Sequence, residues 1–382
     1  MIEIRKETAM TKKIGILTAG SDCPGLNAAI RGFGKTARQV HGMQLIGFRD
    51  GFEGLLSNHT VDLSGDALSN ILTAGGTILG TSRLVPHQVV EDDQILDKTG
   101  EVLAVYKENQ LDALVCIGGR ETMDAAQHLI QAGLNVITLP KSGVNDMPLT
   151  DTTIGFDTSR MIATEAIDRL HSTANSTHRI IIVELLGREV GWLTLSAGLA
   201  AGADVILIPE IPYDLNKLAE AILKRNQAGK LFSIVAVAEG AQSSELVDFF
   251  ERSMKMNQQT HKDQSVDEHR ERMAELKRKY TGETLKLANR LENSTGIESR
   301  ITILGYLLRG GTPSATDRIL ATQLGAYAAD LVFENKFGVM VGIHDGRTGT
   351  VPIEDVVQSE KPVPLDHPWL VSARNVGTVF GD

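Results

Sequence analysis

Residues 115–124 read VCIGGRETMD. An apolar strand end meets Gly118-Gly119 and then a helix, the usual build of a phosphate cradle. The glycines let backbone N–H groups approach an anion, and the helix N-terminus adds a favourable dipole. A metal-assisted phosphate site would place a small residue and a carboxylate next. This chain has Arg120 and Glu121. A second candidate anion turn, TAGSDCPGLNAAIRG (18–32), puts glycines, a serine, an aspartate and a proline ahead of a helix. A third, GGTILGTSR (75–83), ends on Arg83, a guanidinium placed to reach phosphate oxygens.

Three further stretches carry charged groups beside strands. PKSGVNDMPLTDTTIGFDT (140–158) contains Asp146, Asp151 and Asp157. THRIIIVELLGREVGW (177–192) sets Arg179 before a strand and Arg188 after it. ESRITILGYLLRGGTPSATDR (298–318) carries Arg300, Arg309 and another Gly-Gly. Arginines at turns and strand ends in a chain of net charge −10 point to a ligand with two or three phosphates.

These groups must be positioned by a repeated unit of strand, glycine turn and helix. Residues 12–20, 43–51, 111–119, 135–140, 179–187, 204–210, 232–240 and 338–343 read as strands, and 27–37 and 122–132 as helices. Short apolar strands alternating with helices predict an α/β fold with two doubly wound, mostly parallel sheets. Ligands of such sheets bind beyond the carboxyl ends of the strands, where the glycine turns lie. The polar, charged stretch 253–295 predicts a solvent-exposed helical insertion, with partner binding as a second reading.

A length of 382 residues suits two domains. The acidic balance argues against a general role on nucleic acid or a membrane surface. Cys23 and Cys116 form neither a disulfide framework nor a zinc pattern and are expected to be buried hydrophobes. There is no apolar run long enough for a bilayer, and residues 1–10 lack the core of a signal peptide, so the cytoplasm is the expected location.

GILTAGSDCPGLNAAIRG, GGTILGTSR, DTTIGFDT, AIDRL, VELLGREVGW and ILGYLLRGG, in this order, resemble the phosphofructokinase family over nearly the whole chain. The resemblance implies two α/β domains with an active-site cleft between them. Residues 12–155 with 308–358 would form the phosphoryl-donor side, and 156–307 with 359–382 the sugar-phosphate side. It also implies oligomers in which arginines of one subunit complete the fructose 6-phosphate site of another. On the substrate side it implies Ser142, Arg179, Leu186, Glu239, Arg300, Tyr306 and Arg309, with Glu239 on sugar hydroxyls and Arg179 and Arg300 reaching a neighbour's 6-phosphate. Tyr306 stands where many members have a phosphate-contacting histidine. Arg188 would stabilise the transferring phosphoryl group, and Arg83 would span donor and transferred phosphates. Gly20, Ser21, Gly119, Glu121, Thr122 and Lys141 fall at the donor site.

The chemical centre departs from the family pattern. Arg120 stands at the position of the Mg²⁺-binding aspartate, changing attraction for a cation into repulsion. Val144 stands at the position of the aspartate that accepts the sugar hydroxyl's proton. Losing a positioned base costs about 10²–10⁴-fold in rate, and losing the metal removes the main charge neutralisation of phosphoryl transfer. Ser21 replaces a glycine where the transferred group would sit. Glu121 and Lys141 resemble the residues of pyrophosphate-dependent members.

Arg120 is expected to pair with Glu121 or Asp124 and plug the site, with direct replacement of the metal as a cation for phosphate as the alternative. Asp146 is expected to be a turn or N-cap aspartate, with a role as substitute base as the alternative. The functional expectation is a non-catalytic subunit that keeps the fructose 6-phosphate site and regulates, or assembles with, an active phosphofructokinase. It would form homo-oligomers or hetero-oligomers and need no cofactor, with Mg²⁺ required only if activity is retained. The alternatives are an active phosphofructokinase of altered mechanism, using pyrophosphate or ATP, and a stand-alone sugar-phosphate sensor.

Overall fold

The computed structural model describes residues 11–92, 94–260 and 282–382. The strands are β1 (Lys13–Thr18), β2 (Gln44–Phe48), β3 (Thr60–Asp62), β4 (Val89–Glu91), β5 (Gln94–Leu96), β6 (Ala113–Gly118), β7 (Val136–Pro140), β8 (Ile180–Leu185), β9 (Val205–Leu207), β10 (Ser233–Ala238), β11 (Ser299–Ile303), β12 (Val339–His344) and β13 (Arg347–Pro352). The chain forms two compact units. One runs through Ser159 and resumes over Arg309–Lys361; the other comprises Arg160–Leu308 and Pro362–Asp382.

The first unit is built on a seven-stranded sheet of order β13-β12-β7-β6-β1-β2-β3. Its interior pairs are parallel, and β13 and β3 close the two edges antiparallel. Every residue of β6 and β7 is buried, as strands covered by helices on both faces require. Successive side chains alternate between two cores. Ala113, Val115 and Ile117 join Ile14 and Ile16 beneath helices Leu26–Gln39 and Ala315–Phe333. Leu114 and Cys116 join Leu17 on the other face, with Met123, Ala126 and Leu129 of helix Arg120–Gln131 and Ile353 and Val356 of helix Ile353–Gln358.

The second unit holds an all-parallel sheet of order β11-β8-β10-β9. Ile180, Ile182, Val235 and Val237 pack with Leu218 and Ile222 of helix Leu215–Gln227. The expectation of a solvent-exposed insertion over 253–295 fails at its C-terminal end. Helix Glu283–Thr295 buries Thr284, Leu287, Ala288 and Leu291, which join that core. Apolar residues spaced three and four apart outweigh the charged positions between them. Residues 261–281 of that stretch lie outside the described residues. The edge strands β3 and β13 and the β4–β5 hairpin are short or polar and were not legible as strands. Among the described residues no helix is long and apolar enough to cross a membrane.

Candidate active site

In the first unit, parallel register pairs Thr18 with Ile117 and Gly118 with Pro140. The turns that begin at Ala19, Gly119 and Lys141 therefore leave the sheet at one edge. The loop bearing Arg83 folds over the first turn: Gly20 N donates to Ser82 O at 2.8 Å, and Thr81 Oγ1 donates to Gly20 O at 2.7 Å. Gly118 is required sterically, because a Cβ there would lie 2.0 Å from Thr122 Oγ1. Gly20, Arg83, Glu121 and Thr122 line one narrow cleft with Ala19, Phe52, Ser82, Leu84 and Val85.

Lys141 is buried, and its ammonium donates to the carbonyl of Ser21. Burial pushes its pKa down, while Asp146 and Asp22 act in the opposite direction. Arg309 is also close enough to act electrostatically on Lys141, and it lowers that pKa further. A second cavity, of about 270 Å³, continues along the helix and is lined by Arg120, Glu121, Met123, Asp124, Val356 and Val357.

Arg120 does not pair with Glu121 or Asp124, which corrects the expectation. Its Nη1 donates to Ser359 O at 2.9 Å. Adjacent residues of a helix point about 100° apart, so Arg120 and Glu121 do not face each other. Asp124 turns instead to His87 and His128.

In the 142–146 turn, Ser142 Oγ accepts from Val144 N at 3.2 Å. Asn145 is buried in a left-handed conformation, and its Oδ1 accepts from Lys361 Nζ at 3.0 Å. Lys361 also donates to the carbonyls of Thr150 and Asp151. Burial holds its pKa down to about 8. Asp146 begins no helix. It acts electrostatically on both Lys141 and Lys361. Buried Asp317 supports the other end of this segment, accepting from Gly155 N at 2.9 Å and Thr158 N at 2.8 Å. Neither Lys361 nor Asp317 stood out in the sequence, because their partners lie far away along the chain.

In the second unit, Leu185 pairs with Ala238, so Leu186, Arg188 and Glu239 emerge at the carboxyl edge of the sheet. Arg188 lies 3.9 Å from Glu239 and is 72% exposed. Gly240 passes so close that a Cβ would sit 1.9 Å from Arg188 O. Arg179 and Arg300 lie at the opposite, amino edge, where both contact Glu298, Arg179 at 2.7 Å. Tyr306 is largely exposed. Cys23 is buried against Ile154 O at 3.3 Å, and burial pushes its pKa up to about 12, so it is no reactive thiol. Cys116 is buried as well.

The Phosphofructokinase family model matches residues 13–332. The chain is 49% identical to an ATP-dependent 6-phosphofructokinase of Propionibacterium freudenreichii, over 98% of this chain and 100% of the relative. It is 45% identical to one of Spirochaeta thermophila, over 97% of this chain and 98% of the relative. Among solved structures, a pyrophosphate-dependent phosphofructokinase of Marinobacter aquaeolei superposes with a TM-score of 0.76 at 21% identity, over 97% of this chain and 92% of the other, a likeness of fold. The Pichia pastoris phosphofructokinase superposes with a TM-score of 0.74 at 29% identity, over 91% of this chain; the present chain spans 35% of the yeast chain.

These relatives overturn the expectation of a non-catalytic subunit. Proteins alike over essentially their full length are ATP-dependent 6-phosphofructokinases, which points to an active enzyme. That expectation gave two side chains, Arg120 and Val144, the weight of the whole site, although electrostatic catalysis is spread over many groups. A match covering most of the chain, joined to relatives at this identity, shows that the protein belongs to the phosphofructokinase family.

Proposed function

We propose that this protein is an active 6-phosphofructokinase that transfers the terminal phosphoryl group of ATP to a hydroxyl of fructose 6-phosphate. The observation that carries the proposal is the 49% identity, end to end, with an ATP-dependent 6-phosphofructokinase. The cavity beside the phosphate turns supports a nucleotide. Val357, with the buried Met123 and Val356 behind it, puts apolar side chains along that cavity, which a base needs and pyrophosphate does not.

Residue 120 does not fit a carboxylate-held Mg²⁺, because its side chain is a cation bound to a carbonyl. On the donor side, the exposed Arg83 and the buried Lys141 are the cations for the phosphates. Asp146 is the carboxylate nearest the lost base position in sequence, and it takes the hydroxyl proton as the oxygen attacks phosphorus. By the family resemblance, Arg188 would stabilise charge that develops on the transferred group. Arg179 and Arg300, at the amino edge of their sheet, would serve a second copy in a homo-oligomer.

The test is a coupled assay with fructose 6-phosphate and each donor. Turnover with ATP is expected. Turnover with pyrophosphate alone would reassign the donor, and no turnover with either would overturn the proposal.

A further inference from the structure

His87, Asp124 and His128 form a cluster beside the proposed nucleotide cavity, which Asp124 also lines. Their ligand atoms all lie within 4.8 Å of one another. Asp124 and His128 stand one turn apart on helix Arg120–Gln131, where residues four apart share a face. His87 comes from the short turn Pro86–Gln88. The two imidazole rings stack at 3.7 Å between centroids and 8° between planes. His87 Nε2 lies 2.9 Å from Asp124 Oδ2, and His128 Nδ1 lies 3.8 Å from Asp124 Oδ1. His128 Nδ1 also approaches the backbone carbonyl of Asp124 at 3.0 Å.

The decisive feature is His87. Its side chain is 6% exposed; Nδ1 has no hydrogen-bond partner, while Nε2 pairs with the Asp124 carboxylate at 2.9 Å. A buried ring nitrogen with no partner costs about 1–3 kcal/mol, and native structures rarely leave one without a reason. A cation shared with Asp124 and His128 would satisfy it.

We infer that His87, Asp124 and His128 bind a divalent first-row transition cation of the zinc class. Two imidazoles and one carboxylate make a donor set that such ions favour, and they leave a coordination position open. The consequence is mechanical. His87 follows Arg83 on the loop that forms one wall of the narrow cleft, and Asp124 follows Glu121 and Thr122 on the helix that forms the other. The cation would staple these walls together. The inference does not depend on which phosphoryl donor the enzyme uses.

The test uses the full chain without a histidine tag, stripped with a chelator and titrated with Co²⁺ under visible absorption. The expected result is one Co²⁺ per chain with a d–d band that Zn²⁺ displaces. His128→Ala should abolish the band and weaken binding more than about tenfold, since even supporting groups around a metal are worth that much. His128 is partly exposed, so this variant keeps its fold, which far-ultraviolet circular dichroism checks. His87→Ala should behave alike, and exposed His59→Ala should bind as the parent does. Failure of the parent to bind one equivalent, or binding unchanged in His128→Ala, would overturn the inference.

Discussion

Arg120 donates from Nη1 to the carbonyl oxygen of Ser359 at 2.9 Å. Ser359 caps the C-terminus of helix Ile353–Gln358, so the guanidinium meets the negative end of a helix dipole. Arg120 is therefore a tie between two helices of the first unit.

Arg120→Met should lower the unfolding free energy by about 1 kcal/mol, the low end for a hydrogen bond from a charged group that water partly screens. Denaturant titration reads this as a lower midpoint at constant slope. An unchanged midpoint would show that water replaces the bond at no cost.

Asp146→Asn should reduce kcat by about 10²–10⁴-fold with little change in the KM for ATP, because the carboxylate is proposed to act only on the transferring proton. Val144→Asp should raise kcat in the parent background. Full turnover in Asp146→Asn would place the base elsewhere.

Arg188 and Glu239 test the second unit. Arg188→Ala should cost about 10²–10³-fold in kcat. Its stability should hardly change, since the side chain is 72% exposed. Gly240→Ala forces a Cβ to within 1.9 Å of Arg188 O. It should destabilise by about 1–3 kcal/mol and displace Arg188 as well. Thermal unfolding and steady-state kinetics separate the two effects.

Lys361 predicts a pH dependence. Burial holds its folded pKa at about 8, below the ordinary value of 10.5. Between these values the unfolded chain binds more protons, so stability rises with pH across this window. The slope from this group is at most about 1.4 kcal/mol per pH unit. Lys361→Met should remove that contribution when unfolding is followed from pH 8 to 10. An identical pH profile in parent and variant would contradict the assignment.

The sheets were legible because their signal is local. Short, β-branched, largely apolar runs such as ALVCIG and IIIVEL, each followed by a glycine turn, read as strands covered on both faces. The family was legible for the same reason, since its motifs are contiguous. Charge counting over 253–295 hid the buried stripe of Leu287, Ala288 and Leu291, because polar residues dominate the sequence of any surface helix.

The sequence by itself determined which side chains stand at each turn: an arginine at 120, a valine at 144, a lysine at 141. Only the tertiary structure decided what those side chains touch. Arg120 and Ser359 lie 239 residues apart, and Lys361 and Asn145 lie 216 apart. His87 meets Asp124 across two elements with no common pattern. Periodicity and motif spacing describe neighbours along the chain, whereas the environment of a charge is set by whatever the fold packs against it.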